Sequence, residues 1–294
     1  MAGALTGFLA RRRGLDEVER AALRGVLADP IFELVPLKNL GDQIAHLPAA
    51  ARVSVTASPA KGLDATVDWA IRLRAEGFRP IPHLAARAIP DRTTLAGLLE
   101  RARAGGLTHA FVVGGDGDAP GEYLDGLSLL RAMVELGHPF TRIGCPAYPQ
   151  GHPSIPDVAL AQALRDKSPY VGHVTTQMDF DSGAIGRWVR ARRAEGFAPE
   201  VVVGVPGVAD PQKLLSIAAR IGVKDARRFF VKNLRFVTGL AKSGGFYKPT
   251  SFVEDLAPLL ADPAARVTGL HLYTFNAVEA TEAWRRSMLE KVGA

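Results

Sequence analysis

Eight short apolar runs recur along the chain, at 31–35, 52–56, 79–85, 109–114, 140–145, 171–176, 200–205 and 268–273, and each reads as a buried parallel strand. Between them apolar residues repeat with the helical period, as in Val67, Ile71 and Leu73, then Leu95, Leu98 and Leu99, then Leu129, Met133 and Leu136. Arg74-Ala75-Glu76-Gly77-Phe78 recurs as Arg193-Ala194-Glu195-Gly196-Phe197, a helix end followed by the glycine that a left-handed stop requires. Strand and helix alternating through short connections predict a parallel sheet with helices packed on it.

The polar residues of this pattern fall at the strand ends: Glu33, Thr56, His83, Asp116, Tyr148 with His152, Gln177, and Tyr273 with Asn276. In a closed (β/α)8 barrel these ends share one mouth, where such enzymes carry their chemistry. A doubly wound open sheet is the rival, weakened because no Gly-x-Gly-x-x-Gly turn follows the first strand. The prediction is an α/β fold, one TIM-barrel domain over 1–294 with a helical extension over 1–30. Residues 15–28 read as an amphipathic helix across one end of the barrel. The stretch 211–266 is too long for one crossover and predicts two or three helices, broken at Lys248-Pro249 and Asp262-Pro263.

A chain of 294 residues, 47% hydrophobic and 22% charged, has the balance of a globular protein with one large core. No run approaches the ~20 apolar residues of a membrane span. Arg11-Arg12-Arg13 is followed at once by Asp16, Glu17 and Glu19, which argues against a secretory signal. The lone Cys145 permits neither an internal disulfide nor a cysteine-based metal site, and a cytoplasmic location is the simplest reading. The net charge of +6 is spread over helix faces, for example Arg72, Arg74, Arg101 and Arg103, with no tract to follow a phosphate backbone. Neither nucleic acid nor membrane is therefore expected as a partner. A small-molecule substrate is expected, and the chain is compatible with a homo-oligomer.

Glu33 stands inside Ile31-Phe32-Glu33-Leu34-Val35, where desolvation raises a carboxyl pKa unless it is paired; this suits a general acid, or a barrel glutamate met by Arg or Lys. Asp116, in Gly114-Gly115-Asp116-Gly117, can accept two N–H bonds beside a backbone that approaches a flat ligand closely. With the amide of Gln177 it makes a clamp for a pterin-like ring. His83 is either a core histidine or a ligand contact, while Tyr148 and His152 can hold a planar cofactor. No metal-ligand spacing, nucleophile elbow or P-loop occurs, and Cys145 reads as a small buried hydrophobe.

Taken in order, Phe32-Glu33 with Pro36, Val53-Ser54-Val55-Thr56, Pro82-His83-Leu84, Gly115-Asp116, Ala147-Tyr148-Pro149 with His152-Pro153, Thr176-Gln177, Pro206-Gly207 and Tyr273-Thr274-Phe275-Asn276 resemble the methylenetetrahydrofolate reductase family. The resemblance runs from residue 31 to residue 276. It implies a barrel with FAD at its mouth, reduced by NADH or NADPH, and hydride transfer interconverting 5,10-methylene- and 5-methyltetrahydrofolate. It implies Glu33 as the acid at folate N10, with Asp116 also catalytic. Asp116, Gln177 and Tyr273 would bind substrate. Thr56, His83, Gly115, Asp116, Tyr123, Ala147, Tyr148, His152 and Arg165 would line the flavin site.

The chain departs from the family pattern at four places. Leu34-Val35-Pro36-Leu37 is thinner than the family's first motif, which usually has a second aromatic and two prolines. Gly114 replaces an arginine, Ala277 replaces another, and the helix after His152 offers Ala159, Gln162, Arg165 and Asp166 where Asp, Asn and an Arg-Lys pair are usual. These departures imply a divergent member whose FAD is held weakly, with methyl-group catabolism as one role. A flavin-free reductase, a pterin-binding barrel methyltransferase and a non-catalytic folate-binding barrel are the alternatives.

Overall fold

The computed structural model describes residues 14–37, 39–57, 62–115, 121–212, 214 and 245–293. Eight parallel strands close on themselves in chain order: β1 (Ile31–Leu34), β2 (Arg52–Val55), β3 (Arg79–Ala85), β4 (His109–Val113), β5 (Arg142–Ala147), β6 (His173–Thr176), β7 (Glu200–Pro206) and β8 (Val267–Tyr273). The described helices are α1 (Glu17–Ala28), α2 (Leu40–Ile44), α3 (Gly62–Ala75), α4 (Arg92–Ala104), α5 (Gly126–Leu136), α6 (Asp157–Lys167), α7 (Ser182–Ala194), α8 (Thr250–Asp255), α9 (Ala257–Leu260) and α10 (Val278–Lys291). This is a TIM barrel with a helix preceding its first strand, as the alternating pattern predicts. Among the described residues no helix is long and apolar enough to cross a membrane.

Local chemistry sets the element ends. Asp16 and Glu19 form a reciprocal capping box on α1, Asp91 caps α4 through Thr94 N, and Asp125 with Ser128 does the same for α5. Gly137 stops α5 at φ 70°. The expected helix 15–28 is α1, whose buried Leu23, Val26 and Leu27 belong to an element packed against β8, α9 and α10.

Strand boundaries differ from the expected ones where side chains replace the ladder. β1 stops at Leu34 because Val35 N and O bond the Asn276 side chain, at 2.9 Å each, in place of a neighbouring strand. β5 starts two residues later than expected and runs through Pro146, which keeps its place opposite Thr175. β6 starts at His173, preceded by a 3-10 turn at Ser168–Tyr170. The short helix α2 has no counterpart in the sequence reading. Much of the stretch 211–266, and Asp116, lie outside the described residues; the tail of that stretch supplies α8 and α9, with breaks at Pro249 and Pro263.

Two apolar layers result. The large core lies between strands and helices, whereas Ile31, Ile81, Phe111 and Val202 form a separate cluster in the barrel interior. Above that plug the interior turns polar, and there the chemistry begins.

Candidate active site

Phe111 anchors an interior layer of rings, with ring centroids 4.8 Å from His83, 6.4 Å from His173 and 6.5 Å from His271. Two glycines make room for it. A Cβ on Gly144 would stand 2.3 Å from His173 Nε2, and one on Gly204 would stand 2.2 Å from Thr176 O and 2.7 Å from the Tyr273 ring.

Glu33 on β1 sits over this layer, its side chain 16% exposed, with Oε2 3.1 Å from His271 Nε2 on β8. The carboxyl is thus paired, by an imidazole in place of the expected Arg or Lys. Its backbone is fixed as well: Thr274 Oγ1 donates to Glu33 O, and Asn276 grips Val35. Phe275 and Asn276 both take left-handed backbone (φ 51° and 58°), the tight turn that carries Asn276 back to β1.

His83 belongs to the barrel interior. Its Nε2 lies 2.6 Å from Ser54 Oγ, and burial pushes its pKa down to about 4, an effect that the charge of Glu33 opposes. The residue is therefore a neutral core imidazole, one of the two readings open from sequence, and is already bonded on one nitrogen. Tyr273 donates its hydroxyl to Thr176 O at 3.1 Å, with its ring 4.9 Å from that of His271. Burial, reinforced by Glu33 and Tyr148, holds its phenol well above the ordinary value. Gln177 N donates to Ala147 O at 2.8 Å, and its side-chain carbonyl accepts from Met178 N at 2.8 Å. These contacts turn the Gln177 amide oxygen toward its own loop.

Beside the mouth, Ala147, Tyr148, Gln150, Lys167, Trp188 and Arg192 help to line a cavity of about 350 Å³. Tyr148 meets His152 edge-on, with centroids 5.1 Å apart. The α6 residues facing this cavity include Leu160, Ala161, Leu164 and Lys167. Arg165 lines another hollow; it bonds Gln162 at 2.8 Å, and Gln162 bonds Asp166 at 2.7 Å. Ala159, Gln162, Arg165 and Asp166, which stand where the family has its FAD contacts, are not among the residues that line this cavity. Counted from the first residue of α6, Asp157, the i+3, i+4, i+7 rhythm selects 160, 161 and 164, and 167 follows.

The other expected flavin residues are dispersed. Thr56 N donates to Leu34 O at the mouth, and Gly115 (φ 88°) approaches Ala85 Cβ at the end of β3. Tyr123 is buried in the large apolar core, so it packs the barrel wall. Cys145 is buried, as expected.

Sequence reasoning missed His271 and Asp179. Asp179 is 3% exposed and accepts from Phe180 N at 2.6 Å, from Asp181 N at 2.9 Å and from Gln150 Nε2, tying the loop after β5 to the loop after β6. Burial raises its pKa to about 6 against the pull of those donors. Among the described residues no cluster of His, Cys, Asp or Glu could hold a metal ion.

Comparison with solved structures returns the barrel alone. A plant class V chitinase mutant from Cycas revoluta in complex with (GlcNAc)3 superposes with a TM-score of 0.52 at 10% identity, over 90% of this chain and 100% of that one. A GH18 chitinase from the same plant in complex with (GlcNAc)3 gives 0.50 at 11% identity, over 90% and 99%. The family model described as methylenetetrahydrofolate reductase matches residues 34–288, from the residue after Glu33 through β8 and into α10. By a match over most of its length, the chain belongs to the methylenetetrahydrofolate reductase family.

Proposed function

We propose that the protein interconverts 5,10-methylene- and 5-methyltetrahydrofolate, with NADH or NADPH as the source of the hydride. The observation that carries this reading is the Glu33–His271 pair, a carboxyl in an imidazole-lined hollow at the barrel mouth of a family member. In the reducing direction Glu33 gives its proton to folate N10. The N10–methylene bond breaks and its electrons stay on N10. The N5 iminium that forms accepts hydride at its carbon and becomes the methyl group. Gln177 after β6 and Tyr273 at the end of β8, on either side of β7, orient the pterin, a role shared with Asp116 in this reading.

The family resemblance implies FAD, and the α6 face suits it poorly. Leu160, Ala161 and Leu164 offer no polar group to a ribose or pyrophosphate, and Arg192 is already paired with Glu195 at 2.5 Å. Lys167 is the remaining cation of the cavity lining. Each missing charge-assisted hydrogen bond costs roughly 1.5–3 kcal/mol. FAD would therefore be lost on gel filtration. The hydride passes directly from the reduced nicotinamide to the iminium carbon.

The test is turnover of methylenetetrahydrofolate with each nicotinamide, with and without added FAD, alongside the visible spectrum of the purified protein. The expected results are a colourless preparation, methyltetrahydrofolate formed without FAD, and Glu33→Gln slower by about 10²–10⁴-fold. Stoichiometric bound flavin would restore the FAD route. Absence of turnover under all conditions, or near-normal turnover by Glu33→Gln, would overturn the assignment.

A further inference from the structure

We propose that His271 is a positioning residue that engages Glu33 Oε2 and confines the transferable proton to Oε1. This inference rests on the folate reading above and adds a residue to it. The β1–β8 register sets Ile31 opposite His271 and Glu33 opposite Tyr273, so His271 lies one step below the acid, toward the apolar plug. At 3.1 Å, His271 donates to Oε2 when its Nε2 carries a proton, the arrangement this proposal assigns. That oxygen is then an acceptor, and the acidic proton resides on Oε1. Once Glu33 has protonated N10, the same N–H bond stabilises the carboxylate left behind.

Among the described residues nothing else around the pair takes this role. His83 points Nε2 at Ser54 Oγ, 2.6 Å away. His173 lies across Phe111, whose ring is 6.4 Å from it, and Tyr273 commits its hydroxyl to Thr176 O. Among the described residues no arginine or lysine forms an ion pair with Glu33. The imidazole of His271 is also held in place, with Tyr273 4.9 Å away and Phe111 6.5 Å away, and is 2% exposed. A buried donor that cannot turn to water is organised before the reaction starts.

The experiment compares His271→Phe, which keeps an aromatic ring in the layer and removes the donor, with His271→Gln, which keeps an N–H near the same point. kcat and KM for methylenetetrahydrofolate are measured over about pH 5.5 to 9, with thermal melts as a check on folding. His271→Phe is expected to lower kcat roughly 10- to 100-fold with KM nearly unchanged. The alkaline limb, where Glu33 loses its proton, should move to higher pH because the carboxylate has lost its donor. His271→Gln should regain most of both effects, and His271→Phe should add no further loss to Glu33→Gln. If His271→Phe does not fold, His271→Asn, too short to reach Oε2, replaces it. An unmoved alkaline limb, or equal losses with and without Glu33, would overturn the proposal while the folate reading stands. A wild-type protein without folate turnover would overturn both.

Discussion

Asp179 and the interior imidazoles give stability opposite dependences on pH, and their sizes decide the sum. His83 and His173 are pushed down to about 4 and about 3 by burial, from an ordinary 6.5. The stability they contribute is complete above that ordinary value and is lost as pH falls from it toward the folded values. Asp179 is pushed up to about 6 from 3.8, so its contribution is complete below 3.8 and is lost as pH rises toward 6. Each group weighs on the order of 3 kcal/mol, and two imidazoles outweigh one carboxyl. Urea midpoints should therefore fall when the pH drops from about 7 to 4.5. Asp179→Asn keeps an oxygen for the backbone donors and removes the buried charge. It should raise the unfolding free energy at pH 7.5 by ~1–3 kcal/mol, read as a higher urea midpoint, and raise it little at pH 4. A larger gain at pH 4 than at pH 7.5 would reverse the assignment. At this scale the sequence made Glu33 visible, because a carboxyl among four apolar residues is unusual. It hid His271, which lies 238 residues away in Leu270-His271-Leu272, where it reads as one more inward position of a strand.

The elements themselves were mostly legible, since parallel strands buried on both faces read as apolar runs and glycine marks the helix ends. What escaped were the places where tertiary contacts replace local signals. Asn276 ends β1 from the far end of the chain, and Pro146 lies inside β5. On α6 no apolar stripe fixes the phase, since Leu164 is its one buried residue, so the sequence does not mark which side faces the cavity. Gly144 on β5 makes an element-scale prediction. Its alanine variant would drive a methyl group into the His173 ring, which Phe111 backs in turn. Overpacking of this kind costs ~1–3 kcal/mol, read as a lower urea midpoint with an unchanged slope. His173→Ala in the same background should relieve the clash. A stable Gly144→Ala variant would mean that the ring layer can shift.

Across the whole molecule, closure of the barrel depends on the two ends of the chain. β8 completes the ladder onto β1, and α10 is locked to α1 by Arg285, which bonds Glu282 at 2.6 and 2.8 Å and donates to Leu27 O at 2.7 Å. Arg285 and Glu282 are both buried, and removing one charge of such a pair typically costs ~3–5 kcal/mol. Glu282→Gln should therefore lower the melting temperature markedly, whereas Glu17→Gln, at an exposed ion pair, should barely move it. Equal effects of the two substitutions would refute this account of closure. The β1–β8 seam also sets when the surroundings of Glu33 are assembled during synthesis. Glu33, on β1, is made before the other seven strands and waits for His271 on β8. Thr274 and Asn276, which fix the acid's backbone, arrive just after. A nascent chain without β8 and the turn after it has neither His271 against the Glu33 carboxyl nor Thr274 and Asn276 at its backbone, so the last strand of the barrel is the one that fixes this side chain.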